Sequence, residues 1–525
     1  MLDRLPPEVL LIALEYITRH DLNNICRVSK HLYAIAVPLL YKSVTLTSNR
    51  SGISETWNHV DSLLRAPAFP VDLLVHMRDI DIQENRSSPG NGCLHNYTWL
   101  RQFIWTNNEL DEDAHDYHKE ERIYRDEIRY LSSKLLQVFS RCAADRLQRF
   151  SWNVGTCLPS EVLGDSGYLI LNQRKLVAIH LRTALKSNAF HLTQMGLGVT
   201  DISGDEVTQS IQSMLAKEIL DMYDLRTAFR FPVLQYLSFY YMDLTPISHV
   251  LSSIFNVTSL LSLSLRLCKS WEYALLNFLN SGSRIALKSL TLETDMRRAG
   301  EDSVLALPAF LKSFEGLEEL YISVLCFESP VPVWRSVFTH KETLRKLVCQ
   351  QLHIDGYQSE EHGLYLGATG FLEQLTGADQ NPFVGPRLEF LGISSNDFDT
   401  LKSILTSPSI KAYIRVLHLR RCEEFYDQSY LINSDCWDDI RNNKLPSFRQ
   451  FLAWAFGPEG PPELQAVGHC AFVFMQPISD VFYFRDAQHE GGYRCVFRRR
   501  TQQFDFIRQY DYALDACRYD DYLMD

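Results

Sequence analysis

Twelve cysteines and sixteen histidines give the chain raw material for nucleophilic catalysis and for metal binding. Their spacing selects neither. The cysteines stand at 26, 93, 142, 157, 268, 326, 349, 422, 436, 470, 495 and 517, with no Cys-x-x-Cys pair. The usual spacings of zinc and thiol-redox centres are therefore missing. His115 and His118 lie in an acid-rich run from Glu109 to Glu121 and have the donor types for a divalent cation. Polar runs of this kind are ordinarily solvated, and this one reads as an insertion. The chain has no GxxxxGK[ST] phosphate loop, no GxSxG elbow and no HExxH helix. Gly196-Leu197-Gly198 lacks the third glycine of a dinucleotide turn. Arg498-Arg499-Arg500 reads as a solvated strand edge rather than a ligand patch. No catalytic residue, metal site or cofactor emerges, and the chain reads as non-catalytic.

What remains is the chemistry of protein recognition, and a repeat would position it. The template L-x-x-L-x-L, with conservative changes, begins at Met77, Leu147, Leu176, Leu234, Leu260, Leu287, Leu317, Leu344, Leu388 and Ile414. From Leu234 to Leu344 the copies follow at 26 to 30 residues, the upper end of the leucine-rich-repeat range. Between copies the apolar residues take helical spacing: Ala274, Leu275, Phe278 and Leu279, then Leu307, Phe310, Leu311 and Phe314, then Leu401, Ile404 and Leu405. A strand followed by a helix, repeated, predicts a solenoid with a parallel sheet. Cys268, Asn396 and Cys422 follow three copies at turn positions, where a side chain can bond buried backbone groups.

Strand alternation assigns the binding side. The leucines point inward, so the residues between them face out on the concave sheet. The predicted substrate-binding residues are Tyr236, Tyr240, Arg266, Glu293, Tyr321, Lys346, His418 and Arg420. Tyrosine and arginine dominate protein hot spots, and the mixed charge does not suit nucleic acid.

The segment Leu5-Pro6-Pro7-Glu8 opens a helix, since proline fits the first turn and Glu8 complements the dipole. Val9, Ile12, Ala13, Tyr16 and Ile17 form one apolar face. A second helix is expected with Asp21 as its cap, a stripe from Leu22 to Leu39, and a break or bend near Pro38. So small a hairpin needs a partner surface. On pattern alone it either caps the array or docks elsewhere.

Leu5-Pro6-Pro7-Glu8-Val9-Leu10, Ile12, Asp21-Leu22 and Val28-Ser29-Lys30 together resemble the F-box motif. The continuation Ala36-Val37-Pro38-Leu39-Leu40-Tyr41-Lys42-Ser43-Val44-Thr45-Leu46 resembles its fungal variant. The tryptophan usual near the end of the second helix is replaced by Leu32 and Tyr33. The resemblance implies a Skp-type adaptor as partner and, through it, a cullin. The remaining chain would recruit a protein substrate to the ubiquitin ligase. The adaptor contacts it implies are Leu5, Pro6, Val9, Ile12, Leu22 and Val28, some of which must instead hold the hairpin together.

The expected fold class is α/β: a helical F-box at 1–46, a leucine-rich-repeat-like solenoid at 47–455 with an insertion at 84–131, a small β cap at 456–503, and an acidic tail at 504–525. Phe448 to Ala455 is expected as a further inner strand, and residues 369–376 as a short helix within the loop 351–386. The tail carries six Asp and two Arg and reads as a short amphipathic helix or a frayed end. With a net charge of −12, the chain lacks the basic footprint that phosphate backbones or anionic membranes require. The start is no signal peptide and no stretch approaches a membrane span, so a cytoplasmic or nuclear location is expected.

Overall fold

The protein is described from a computed structural model. It describes chiefly residues 5–48, 73–84, 129–182, 231–293, 301–352, 383–419, 446–497 and 505–516, with gaps of up to five residues within these ranges. The greater part of the expected insertion, 85–125, the expected helix at 369–376, and Asn396 and Cys422 lie outside the described residues. The chain forms two compact units, residues 1–260 and 261–525.

The first unit opens with three helices, α1 (Pro7–Leu14), α2 (Arg19–Ile25) and α3 (Lys30–Leu40). The expected single second helix is thus two. Ser29 explains the break: its side chain accepts from the Leu32 N–H at 3.2 Å and starts a new helix. Thr18, not Asp21, caps α2, accepting from the Asp21 N–H while donating its own hydroxyl to the Asp21 carboxylate. Pro38 does not stop α3, which runs on for two more residues. Leu10, Leu14, Leu22, Leu32, Ile35 and Ala36 form the core of this helical unit.

After Tyr41 and Lys42 the chain passes directly into β1 (Ser43–Ser48). Parallel pairing then runs β1–β2 (Asp79–Glu84)–β3 (Arg149–Asn153)–β4 (Ala178–Arg182)–β5 (Tyr236–Tyr240). The segment resembling the end of an F-box, with Val44 and Leu46 buried, is therefore itself the first strand of the sheet. The second unit continues the pattern with β6 (Ser262–Arg266), β7 (Ser289–Glu293), β8 (Glu319–Leu325), β9 (Lys346–Leu352), β10 (Phe390–Ile393), β11 (Val416–Leu419) and β12 (Ala466–His469), all parallel. The small pair β13 (Phe472–Val473) and β14 (Gln476–Pro477) follows. Then β15 (Val481–Arg485) and β16 (Tyr493–Phe497) add antiparallel to the edge, as the expected terminal β element.

One hydrogen-bond device repeats at the strand starts. The carbonyl before a strand accepts two successive N–H groups from the next one: Lys42 from Arg78 and Asp79, Lys288 from Glu318 and Glu319, Glu389 from Arg415 and Val416. It holds neighbouring strands in register, so the template residues of successive strands stack. These anchors, from Met77 to Leu419, are buried wherever their side chains are described. Connecting helices at Trp271–Asn280, Glu301–Lys312 and Phe398–Thr406 carry the expected stripes, buried except for the half-buried Leu279, and Val331–Val337 is a further one. At Cys268 the turn expectation holds, since its thiol donates to the Arg266 carbonyl at 3.4 Å.

Two sequence expectations fail here. Phe448–Ala455 is not a strand but part of a helix, Pro446–Phe456. Phe448, Phe451, Leu452, Ala455 and Phe456 are buried at helical spacing, so burial of one stripe decides the element. The parallel sheet also extends past 455, because β12 is a further strand anchored by buried Leu464 and Val467.

Candidate functional site

Helix α1 is apolar nearly all round, and the fold splits it into two sides. Leu10 and Leu14 turn into the helical core. The apolar face expected on this helix, with Val9, Ile12 and Ala13, turns outward. Of the six predicted adaptor contacts, Pro6 is exposed, and Leu5, Val9, Ile12 and Val28 are exposed at 38, 47, 62 and 68 %. Leu22, at 6 %, belongs to the helical core instead. Leu11, Tyr16 and Tyr33 are exposed as well, and sequence reasoning did not select them as contacts. Their signal was an apolar excess on helices too small to bury it. An apolar stripe kept in water on a well-formed helix is the form a helix-docking site takes.

The sheet residues fare differently. Tyr236, at 41 % exposure, is open as predicted. Tyr240 is buried, with the Arg182 guanidinium 4.4 Å from its ring centre. Arg266 is half-buried, its Nε 2.7 Å from Oε2 of the buried Glu293, so these two charges answer each other. Tyr321 is buried and donates to Glu319 at 3.1 Å. Lys346 pairs with the same carboxylate at 2.8 Å. His418 is buried beside the Phe482 ring. Arg420 lies outside the described residues. The open binding face predicted at Tyr240, Glu293, Tyr321 and His418 is thus corrected.

For Tyr321 the reason is a segment far along the chain. Residues 505–516 fold back over this side of the sheet. Ile507, Tyr510, Ala513, Leu514 and Ala516 share one buried cluster with Tyr321, Val348, Phe390, Val416, Ala466, Phe482 and Phe484. Thr291 and Tyr512 join their hydroxyls at 2.9 Å, and Lys346 donates to the Gln509 carbonyl at 3.3 Å.

Burial pushes the Cys142 thiol up to about 11, with Arg146 opposing. Burial of this kind favours the protonated thiol, whose Sγ lies 3.7 Å from the Met77 carbonyl. Burial also lowers His340, whose Nε2 lies 3.0 Å from the Leu311 carbonyl. No group of three or more His, Cys, Asp or Glu among the described residues is placed to hold a metal ion. No helix among them is long and apolar enough to cross a membrane.

A search of curated proteins finds no match to this chain. A family model does match at the N-terminus: the F-box-like model covers residues 2–47. F-box domains generally bind Skp1-type adaptors. The three helices with their outward apolar stripe, running into β1, are therefore an F-box-like domain, which supports an F-box protein joined to a large, mostly parallel α/β sheet.

Proposed function

We propose that the chain is the substrate-recognition subunit of an SCF-type (Skp–cullin–F-box) ubiquitin ligase and is not itself catalytic. In this reading the F-box-like domain binds the Skp-type adaptor and, through it, the cullin. The strand-and-helix region, a leucine-rich-repeat-like array of the fungal F-box type, holds a protein substrate in the cytoplasm or nucleus. The observation that carries the reading is the exposed Val9–Ile12 stripe on a domain matching the F-box-like model. Such a stripe has no role in the helical core, which is complete without it.

A second reading has its own support. Because α3 leads straight into β1, which stands at the end of the strand order, a scaffold protein would use the helices only to cap that strand. Val9→Asp combined with Ile12→Asp in the full chain separates the two. Both sites are exposed, so folding should persist. Truncating a central anchor typically costs about 2 kcal/mol or more, roughly thirtyfold in affinity. Recovery of a Skp-type adaptor should fall by at least that much. Undiminished recovery with this double variant would leave the capping role as the only one.

A further inference from the structure

The face closed by residues 505–516 changes character along the second unit's sheet. At β6 and β7 the residues opposite the leucines are Ser262, Ser264, Ser289 and Thr291. From β8 onward Tyr321, Val348, Phe390, Val416, Ala466, Phe482 and Phe484 make it apolar, and these are the residues the segment covers. Left open, they would form an apolar patch of the kind that marks a protein-binding site.

The segment binds this face as a ligand would, through side chains and not as a strand. It forms two short helices, Asp505–Arg508 and Asp511–Asp515, and joins no ladder. Helices this short have no stability of their own, so the face holds them. Phe506 meets Phe484 edge-on with ring centres 5.9 Å apart. Tyr510 stacks on Phe390 at 5.7 Å, with the Lys346 ammonium 5.7 Å from its ring centre. Tyr512 meets Tyr321 edge-on at 5.4 Å, and Leu514 is buried. The segment runs from Phe484 of β15, which Phe506 meets, back to Thr291 of β7, which Tyr512 meets.

We propose that this face is a peptide-docking site which residues 505–516 occupy in cis. Its partner in trans is a protein segment of the same chemistry: aromatic residues two apart and a leucine two residues further on, as in Tyr510, Tyr512 and Leu514. The partner binds by displacing the C-terminal segment. A tethered segment acts at an effective concentration on the order of millimolar, so the intact chain resists weak competitors. The proposal deepens the receptor reading, on which it rests only for the partner's being a substrate.

The probe is a fluorescent synthetic peptide of residues 503–525, with a control peptide carrying Tyr510→Ala and Leu514→Asp. The full-length chain lacking residues 504–525 should remain folded and bind the probe at least tenfold more tightly than the intact chain, and the control peptide should not bind. A folded truncated chain that ignores the probe would overturn the proposal. Should truncation prevent folding, a protease site inserted at 499–503 allows cleavage in the folded protein. Exchange of the released segment for labelled probe then supports a displaceable ligand, and a segment that never exchanges is integral core and overturns it. Adaptor recovery by the same chains is measured in parallel. It depends on the N-terminal helices alone, so failure of the receptor reading shows there and not in peptide binding.

Discussion

On the first unit's strands, the side chains opposite the leucine rows include Asp79, Asp81, Arg149, Ser151, His180, Arg182, Tyr236 and Ser238, all half-buried or exposed. On the second unit's later strands, the same positions hold Tyr321, Val348, Phe390, Val416 and Ala466, all buried. Both sets obey one strand alternation and one leucine template. What separates them is a cover: residues 505–516 lie on the second set, whereas no described element of the first unit buries its set to that extent. Alternation assigns a side chain to a face. Whether that face meets water depends on a segment that can lie far off in sequence.

The sharpest way to break this comparison is to place a charge at matching positions. Phe390→Asp leaves a carboxylate in an apolar cluster and should cost about 3–5 kcal/mol. Tyr236→Asp, on the open face, should change stability by no more than about 0.5 kcal/mol. Urea denaturation of both variants gives the answer, and equal losses would mean the two faces are equally closed.

A smaller effect sharpens the covered side. Gly468 in β12 is pressed between neighbours: an added Cβ would lie 2.6 Å from Cδ2 of His418 and 2.7 Å from Cε1 of Phe482. Neither ring can withdraw freely, since both are buried. Gly468→Ala should therefore cost about 1–3 kcal/mol by overpacking. A wild-type denaturation midpoint for this variant would show that the layer has slack.

The smallest effect lies on the open side. Burial holds the His180 imidazole below its ordinary 6.5, with Arg149 adding to the depression and Asp81 opposing it. The folded state thus favours the neutral ring. Its contribution to stability is present above about pH 6.5 and is lost as pH falls through the lower folded value. In an NMR titration, Arg149→Ala should raise the midpoint and Asp81→Asn should lower it. A His180 midpoint at or above the ordinary value would place the ring fully in water and contradict its half-buried position.

The N-terminal helices show how far pattern reading reaches. Proline and glutamate at the start of α1 were legible because capping and dipole effects act within one turn. The break before α3 was legible too, in Ser29 with Leu32 three residues on, but a continuous apolar stripe from Leu22 to Leu39 masked it. Sorting Leu22 from Val9 and Ile12 was not legible. All three are apolar, and only the packing of three helices decides which of them the core takes. Phe448 to Ala455 teaches a related point. Its aromatic residues suit a strand, yet their spacing of three and four fits a helix, and burial of a whole stripe outweighs weak local preference.

The sequence by itself determined the repeating anchors, the strands they build, the helices between them and the F-box-like start. Each of these follows from periodicity and capping, which act over a few residues. Tertiary structure alone decided which faces are sealed. Tyr510 and Tyr512 reach Phe390 and Tyr321 across more than a hundred residues of chain, and no local pattern encodes a contact so remote. The assignment of Tyr240, Glu293, Tyr321 and His418 to the inside rather than to a partner is therefore a property of the folded molecule, set by the packing around them and, for Tyr321, by the segment that returns to cover it.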